Sequence, residues 1–257
     1  MIHIDFSKYK RFFAFGCSLT KYHCPSWADL ISKEMPQATY INFGVPGSGN
    51  TLISYRIAES NSRYSFNDTD LIMVMWSTFC REDRWIKGRW VPSSNIFNQS
   101  IYDSNWVEKF ADPTGYMIRD LAVMELTHGY LKSLSCSSVL LNSFPLTFTD
   151  VECELSNNIN PLAAYTKLIN KTYPSLYSLE YNNQWESDWE IDGHPTTIRY
   201  FNYLKKLGVN LSNNTHRYAL EKTEELFKCK TLDNAIKIYK AEYKHTWSGL
   251  DNYYPLF

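Results

Sequence analysis

Three residue types that together perform nucleophilic catalysis occur in this chain in the order serine, aspartate, histidine. Ser18 follows an apolar run, and Asp192 and His194 stand two residues apart in the segment Asp192-Gly193-His194-Pro195. A serine hydroxyl is a poor nucleophile until a base takes its proton, and histidine has a pKa suited to that task near neutrality. The histidine needs a carboxylate on its other ring nitrogen, to fix the tautomer and stabilise the imidazolium. The order therefore predicts Ser18 as nucleophile, His194 as base and Asp192 as the group that orients the histidine.

Both segments also have a plain structural interpretation. Ser18 is of a type that caps helices in turns, and Asp192-Gly193 followed by Pro195 is typical of a turn that opens a helix. The turn accounts for the aspartate, the glycine and the proline, but it gives no reason for His194. We therefore favour the catalytic interpretation for both segments.

The elements that must position these residues form a repeating pattern of strand, loop and helix. Buried strands are predicted over 12–15, 39–45, 70–76 and 138–144, and helices over 25–35, 51–62, 117–131 and 196–207. Such alternation favours parallel strands joined by right-handed crossovers. Ser18, the Gly47 and Gly49 loop, and Ser77-Thr78 each follow a strand, so they should meet at the carboxyl edge of one sheet, where open α/β sheets bind ligands.

Two segments fall outside this pattern. The stretch 79–115 is rich in aromatic, charged and amide side chains with little periodicity, which is typical of a lid or a binding insertion. The tail contains a charged helix predicted over 216–243, after an Asn-rich link at 210–214. The prediction is an α/β domain over 1–208, with 79–115 as its insertion, and a helical C-terminal extension over 209–257 packed on the same domain.

Composition excludes several classes of partner. The net charge of the 257 residues is −1, so no basic surface for nucleic acid or an anionic membrane is expected. The first ten residues lack an apolar signal core, and no stretch has the length of a membrane span, so a cytoplasmic location is expected. The six cysteines are scattered and none forms a C-x-x-C pair, and no histidine has metal-ligand spacing, so neither a metal nor another cofactor is expected. The oligomeric state stays open.

Three short motifs resemble those of the SGNH (GDSL-type) hydrolase superfamily, across about 11–207. Gly16-Cys17-Ser18 is similar to its G-D-S block, and Asn42-Phe43-Gly44-Val45-Pro46-Gly47 to its N-x-G-x-x-G block. Asp192-Gly193-His194-Pro195 resembles its last block, with the aspartate one residue nearer to the histidine. The resemblance implies a flavodoxin-like three-layer α/β/α sandwich. It also implies the same Ser-His-Asp triad, with the backbone N–H groups of Ser18 and Gly47 as oxyanion donors.

The third block of that superfamily normally supplies an asparagine side chain to the oxyanion. Phe79 occupies the corresponding place here. Because the loss of one oxyanion donor costs roughly 10²–10³ in rate, an active enzyme should have a substitute. The candidates are Asn50, Ser77 and Thr78, with Arg81 in an electrostatic role. Asn50 is alternatively a helix cap.

Together these features predict a serine esterase that hydrolyses a small acyl ester through an acyl-enzyme. The aromatic-rich insertion and the habits of the resembled superfamily favour an acetyl group on a carbohydrate, with Arg81, Arg84 and Trp85 lining the approach. The alternative is a catalytically weakened module on the same scaffold that binds a glycan or a protein partner. Acyl transfer to an alcohol would use the same residues.

Overall fold

Residues 1–97, 102–146, 161–170, 172–182, 184 and 186–243 are described by a computed structural model. Cys153 and the part of the tail beyond residue 243 lie outside this range. The described strands, in chain order, are β1 (Arg11–Phe15), β2 (Thr39–Asn42), β3 (Asp70–Trp76), β4 (Arg81–Ile86), β5 (Arg89–Asn95) and β6 (Ser137–Asn142).

The described α-helices, in chain order, are α1 (Trp27–Lys33), α2 (Asn50–Tyr64), α3 (Ser104–Phe110), α4 (Pro113–Ser133), α5 (Pro161–Ala164), α6 (Thr166–Ile169), α7 (Leu176–Tyr181), α8 (Thr197–Lys206), α9 (Asn213–Lys228) and α10 (Leu232–Glu242). Helices α1 to α4 lie between strands in the chain, and the other described α-helices follow β6. None of these helices combines the length and hydropathy that crossing a membrane requires.

The central sheet has the strand order β2-β1-β3-β6, and all three pairings are parallel. This is the flavodoxin-like order, with β6 as the fourth strand of the sheet. The sheet is covered on both faces. Phe12 and Ala14 of β1 pack toward α1 and α8, whereas Phe13 and Phe15 pack toward α2 and α4. The predicted three-layer α/β fold with a mainly parallel sheet is therefore confirmed.

Burial on both faces explains why the strands lack polar alternation. All seven residues of β3 are buried, including Asp70 at its start. The Asp70 carboxylate there accepts two hydrogen bonds of 2.6 Å from the Arg11 guanidinium, so the buried charge is paired. The strands that carry the candidate site are thus fixed by the core itself.

The segment 79–115 has more regular structure than its composition predicts. Strands β4 and β5 form an antiparallel hairpin, and α3 follows it. The hairpin turns at Lys87 and Gly88, both at positive φ (49° and 83°), which is the backbone of a two-residue type I′ turn. A lysine in that turn, with no alternation of apolar side chains on either strand, leaves little sequence signal for a hairpin.

The C-terminal segment also differs from its prediction, because it forms two helices, α9 and α10, rather than one. Its Asn-rich link is not loose: Leu211 is buried, and Ser212 caps α9 by accepting a hydrogen bond from the Thr215 amide. The Tyr239 hydroxyl of α10 donates to the buried carboxylate of Asp29 in α1, at 3.2 Å to the nearer oxygen. The described part of this segment is therefore joined to the sheet layer through α1.

Candidate active site

Ser18 follows β1 in a turn that only glycine at position 16 allows. A Cβ on Gly16 would lie 2.0 Å from Oγ1 of Thr20 and 2.9 Å from the carbonyl oxygen of Met75 in the neighbouring strand. The Cys17 carbonyl then accepts a hydrogen bond of 3.0 Å from the Thr20 amide, which closes the turn around Ser18. The Cys17 side chain is buried in the core, so it is remote from the chemistry.

The segment with Asp192 and His194 is held by interactions of its own. Asp188 forms an ion pair with Arg199 of α8, with N–O distances of 2.8 to 3.0 Å, and so ties the loop to the helix that follows it. Trp189 and Asp192 form an isolated antiparallel bridge. The loop is thereby folded back on itself just before His194.

These two segments bring the three predicted residues into one hydrogen-bonded chain. Nε2 of His194 lies 2.8 Å from Oγ of Ser18, and Nδ1 lies 2.5 Å from Oδ1 of Asp192. The same Asp192 oxygen accepts a hydrogen bond of 2.8 Å from the His194 backbone N–H. Burial opposes ionisation of Asp192, but the hydrogen bonds from His194 outweigh it and lower the pKa of this carboxyl group. An ionised Asp192 requires the proton on Nδ1, which leaves Nε2 free to accept the Ser18 proton.

Aromatic rings pack around the His194 imidazole. Tyr22 lies 4.7 Å from it between ring centroids, and His23 lies 5.8 Å from it in an edge-on arrangement. His23 is buried and stacks on Trp189, and neither of its ring nitrogens has a hydrogen-bond partner among the described residues. Burial, helped by His194 and opposed by Asp192, lowers the pKa of His23 to about 4, so this ring is neutral near pH 7.

Ser18 opens into a cleft of about 470 Å³. Gly47 contributes to its wall with φ of 78°, a left-handed conformation that favours glycine. The cleft contains the three residues of the hydrogen-bonded chain and the predicted Gly47 and Arg81. Its other lining residues were not predicted as site residues, and they are Leu19, Tyr22, Pro46, Ser94, Phe144 and Gly193.

Three predicted oxyanion residues are absent from this lining. Asn50 is fully buried, and its amide donates to Asp120 at 2.8 Å and to the Ser77 carbonyl at 3.2 Å. Its carbonyl oxygen accepts from the Ser77 amide, so Asn50 joins α2 to the end of β3 rather than capping the helix. Ser77 and Thr78 are both buried, and Thr78 Oγ1 accepts a hydrogen bond from Arg81. Phe79 is buried in the core, in agreement with the absence of a polar donor there.

The predicted approach residues Arg84 and Trp85 also lie outside the Ser18 cleft. Arg84 lines a separate cleft of about 490 Å³ between β4, α3 and α4. Trp85 is about half exposed and contacts Trp90 across the hairpin. The second cleft shares no lining residue with the first and contains no serine or histidine, so we assign the chemistry to the Ser18 cleft.

No group of three or more histidine, cysteine, aspartate or glutamate side chains among the described residues is arranged to hold a metal ion.

Some lining residues of the Ser18 cleft, such as Ser94, have no signal in the sequence, because Ser94 reaches the cleft through a hairpin that the sequence does not predict. Tyr22 was within reach of sequence reasoning, since it follows Ser18 by four residues.

Comparison with known proteins gave no matching family model and no matching curated protein. Solved structures of similar fold include a putative acylhydrolase from Bacteroides fragilis, with 17% identity, 78% of this chain and 86% of that chain covered, and a TM-score of 0.45. A GDSL-like lipase from Bacteroides thetaiotaomicron has 15% identity, with 81% and 91% covered and a TM-score of 0.44. A psychrotrophic esterase from Pseudoalteromonas has 9% identity, with 86% and 100% covered and a TM-score of 0.38. At such identities and TM-scores, the activity of this chain must be argued from its own site.

Proposed function

We propose that this chain is a serine esterase of the SGNH (GDSL-type) kind that hydrolyses small acyl esters. The observation that carries the proposal is the continuous hydrogen-bonded chain from Ser18 Oγ through His194 to Asp192. Ser18 lies 176 residues before His194 in sequence, and this contact of nucleophile, base and orienting acid is the recognised geometry of a catalytic triad.

The reaction proceeds in two halves. Ser18 Oγ attacks the ester carbonyl carbon while Nε2 of His194 takes the hydroxyl proton. Collapse of the tetrahedral intermediate breaks the bond to the alcohol, which leaves with the proton from His194. A water molecule then gives a proton to His194 and attacks the acyl-enzyme, and Ser18 regains its proton when the carboxylic acid leaves. Asp192 holds the imidazole in the required tautomer and stabilises its charged form in both halves.

The oxyanion that develops on the carbonyl needs donors that are already in place. The backbone N–H groups of Ser18 and Gly47 are our candidates, because both residues line the cleft. The side chains of Asn50, Ser77 and Thr78 are not candidates, since all three are buried and outside the lining. The proposed mechanism therefore depends on backbone donors.

The substrate class fits the size of the cleft. A volume of about 470 Å³ lies in the usual range for small-molecule sites, and Leu19, Tyr22 and Phe144 offer it apolar surface. We propose a short acyl group, such as acetyl, on a small alcohol or a carbohydrate. No metal or organic cofactor takes part in these steps.

Labelling with a fluorophosphonate probe tests the proposal without requiring the natural substrate. We expect the probe to label Ser18 in the wild type, and para-nitrophenyl acetate to be hydrolysed with saturable kinetics. Ser18→Ala should abolish both. Ser133→Ala is the matched control, because Ser133 is an exposed serine at the end of α4 and should be dispensable. Absence of labelling, with equal trivial rates in wild type and Ser18→Ala, would refute the esterase.

One observation favours a second candidate, a module that binds a glycan or protein partner without efficient catalysis. The place of the usual third donor is taken by Phe79, whose side chain is buried. Removal of one donor typically lowers the rate by about 10² to 10³. The same labelling experiment separates the two candidates. Product analysis in the presence of added alcohols would separate hydrolysis from acyl transfer.

A further inference from the structure

Arg81 is the cationic side chain in the lining of the Ser18 cleft. Its Nε donates to Thr78 Oγ1 at 3.2 Å, and its Nη1 donates to the Ser48 carbonyl at 3.0 Å. A guanidinium carries five N–H groups, and no other acceptor among the described residues lies within hydrogen-bond distance of them. The side chain is therefore held at one edge while donors remain for a ligand.

The carboxylates nearest to Arg81 in sequence are bound elsewhere. Glu82 accepts from Arg84 at 2.9 Å and from Arg119 at 3.1 Å. Asp83 accepts from the backbone amides of Gly49 and Leu52 at the start of α2, and it interacts with Arg81 through its charge without a hydrogen bond between them. In the part of the chain that the structure describes, no carboxylate forms a salt bridge with Arg81. Asp192 lines the same cleft but is hydrogen-bonded to His194, and the lining residues other than Arg81, Asp192 and His194 are uncharged.

The hairpin also holds Arg81 in register with the glycine loop. Three successive residues of the glycine loop are each hydrogen-bonded to the hairpin. The Gly47 carbonyl accepts from the Ser94 amide at 3.2 Å, and the Ser48 carbonyl accepts from Arg81. The Gly49 amide donates to Asp83 at 2.9 Å. A cation fixed in this way loses little conformational freedom when it binds an anion.

We propose that the cleft selects esters whose acyl or alcohol part carries an anionic group, and that Arg81 is the residue that binds this group. The proposal rests on the proposed esterase function of the same site. A planar guanidinium with free donors matches a carboxylate, sulfate or phosphate through paired, charge-assisted hydrogen bonds. An uncharged ester would leave these guanidinium donors without a charged acceptor.

A different role for Arg81 makes a different prediction. If Arg81 replaced the missing oxyanion donor, it would lower the barrier for every ester, because every ester develops the same charge on its carbonyl oxygen. Loss of Arg81 would then reduce kcat for charged and neutral esters alike. If Arg81 instead binds an anionic group of the substrate, its loss should reduce kcat/KM only for charged esters.

The experiment compares kcat/KM for matched esters. One pair is the para-nitrophenyl monoester of adipic acid against para-nitrophenyl hexanoate, and the other is an aryl acetate with a ring sulfonate against its sulfonamide. We expect the wild type to prefer the anionic member of at least one pair by about tenfold to hundredfold, the range of a hydrogen-bonded charge. This preference should decrease as ionic strength rises, which needs no variant.

Arg81→Gln should remove the preference, and Arg81→Lys should retain part of it, because lysine keeps the charge without the paired donors. Arg84→Gln is the matched control: Arg84 lies on the same strand but outside this cleft, so the ratio should not change. Equal kcat/KM for both members of both pairs in the wild type would overturn the proposal. So would a uniform loss for all four esters in Arg81→Gln.

Fluorophosphonate labelling separates this proposal from the one on which it rests. Labelled Ser18 without any charge preference would leave the esterase intact and refute the role of Arg81. An unlabelled wild type would refute the esterase. Circular dichroism of the Arg81 variants checks that they are folded, so a lost preference cannot be attributed to unfolding.

Discussion

His23 gives the most quantitative prediction, because it is a buried histidine whose ring nitrogens lack partners. Its pKa is lowered to about 4 in the folded protein, chiefly by burial, against 6.5 for an ordinary histidine. A histidine with a lowered pKa binds a proton in the unfolded chain before it does so in the folded one. The contribution of His23 to the free energy of unfolding is therefore nearly constant above about pH 6.5. As the pH falls from there toward 4, protonation of His23 in the unfolded chain lowers the free energy of unfolding.

The size of this loss follows from the two pKa values. A difference of 2.5 between 6.5 and about 4 corresponds to a little over 3 kcal/mol when fully expressed, at about 1.4 kcal/mol for each pKa unit. At about pH 4.5 the histidine has lost most of this, roughly 2 to 3 kcal/mol relative to about pH 7.5. His23→Phe keeps an aromatic ring against Trp189 and cannot titrate. We therefore expect the variant to gain this amount on the wild type between the two pH values.

Chemical denaturation at both pH values measures the effect, since the difference between variant and wild type cancels the titrating groups that do not interact with His23. His23→Gln is the matched variant, because it is polar but also cannot titrate. His23→Gln should be less stable than His23→Phe at both pH values. Relative to the wild type, its free energy of unfolding should rise by the same amount as that of His23→Phe between the higher and the lower pH. A difference between His23→Phe and wild type that is the same at both pH values would refute the reasoning that His23 is buried in its neutral form.

Two further predictions concern the candidate site. Asp192→Asn should lower kcat by about 10³ to 10⁴ while Ser18 stays in place, because an amide no longer enforces the Nδ1–H tautomer of the histidine. Steady-state kinetics with para-nitrophenyl acetate measures this, and a loss of less than tenfold would contradict the assigned role of the carboxylate. Gly47→Ala should reduce the free energy of unfolding by about 1 to 3 kcal/mol, because the residue has positive φ and its Cβ would lie 2.8 Å from Ser94 Oγ. Adding Ser94→Ala, which removes the contacting Oγ, should recover the part due to the contact, and full stability of Gly47→Ala alone would show that the left-handed conformation is not required.

The sheet could be predicted because its strands are buried on both faces. Runs such as 70–76 have no polar alternation, and the structure places β3 over those same residues. The placement of Ser18 at the edge of the sheet followed from the same cause, since parallel strands bring their carboxyl ends to one edge, whereas His194 precedes α8 and follows no strand. Sequence reasoning worked here because each element carries its own signal.

The hairpin and its contacts could not be predicted, because their causes are distant in sequence. The Asp83 carboxylate lies on strand β4 and caps α2 by accepting hydrogen bonds from the Gly49 and Leu52 amides. Capping rules consider only the residues next to a helix in sequence, so they do not predict this contact. The sequence favours a helix cap or an oxyanion donor at Asn50. In the structure its side-chain amide instead donates a hydrogen bond to Asp120, seventy residues further along. The chemistry of an asparagine side chain does not reveal which of several buried partners it will meet.

The contact between Ser18 and His194 depends on two regions of the structure that are stabilised independently. Ser18 is fixed by the close approach of β1 to β3 at Gly16. His194 is fixed through Asp188 and Arg199 to α8, whose Tyr203 and Leu204 are completely buried against the sheet. The distance between nucleophile and base is thus set by how α8 packs on the sheet. A packed interior resists deformation, so it can hold two groups 176 residues apart at 2.8 Å. This is why residues that no local motif links can still form one site.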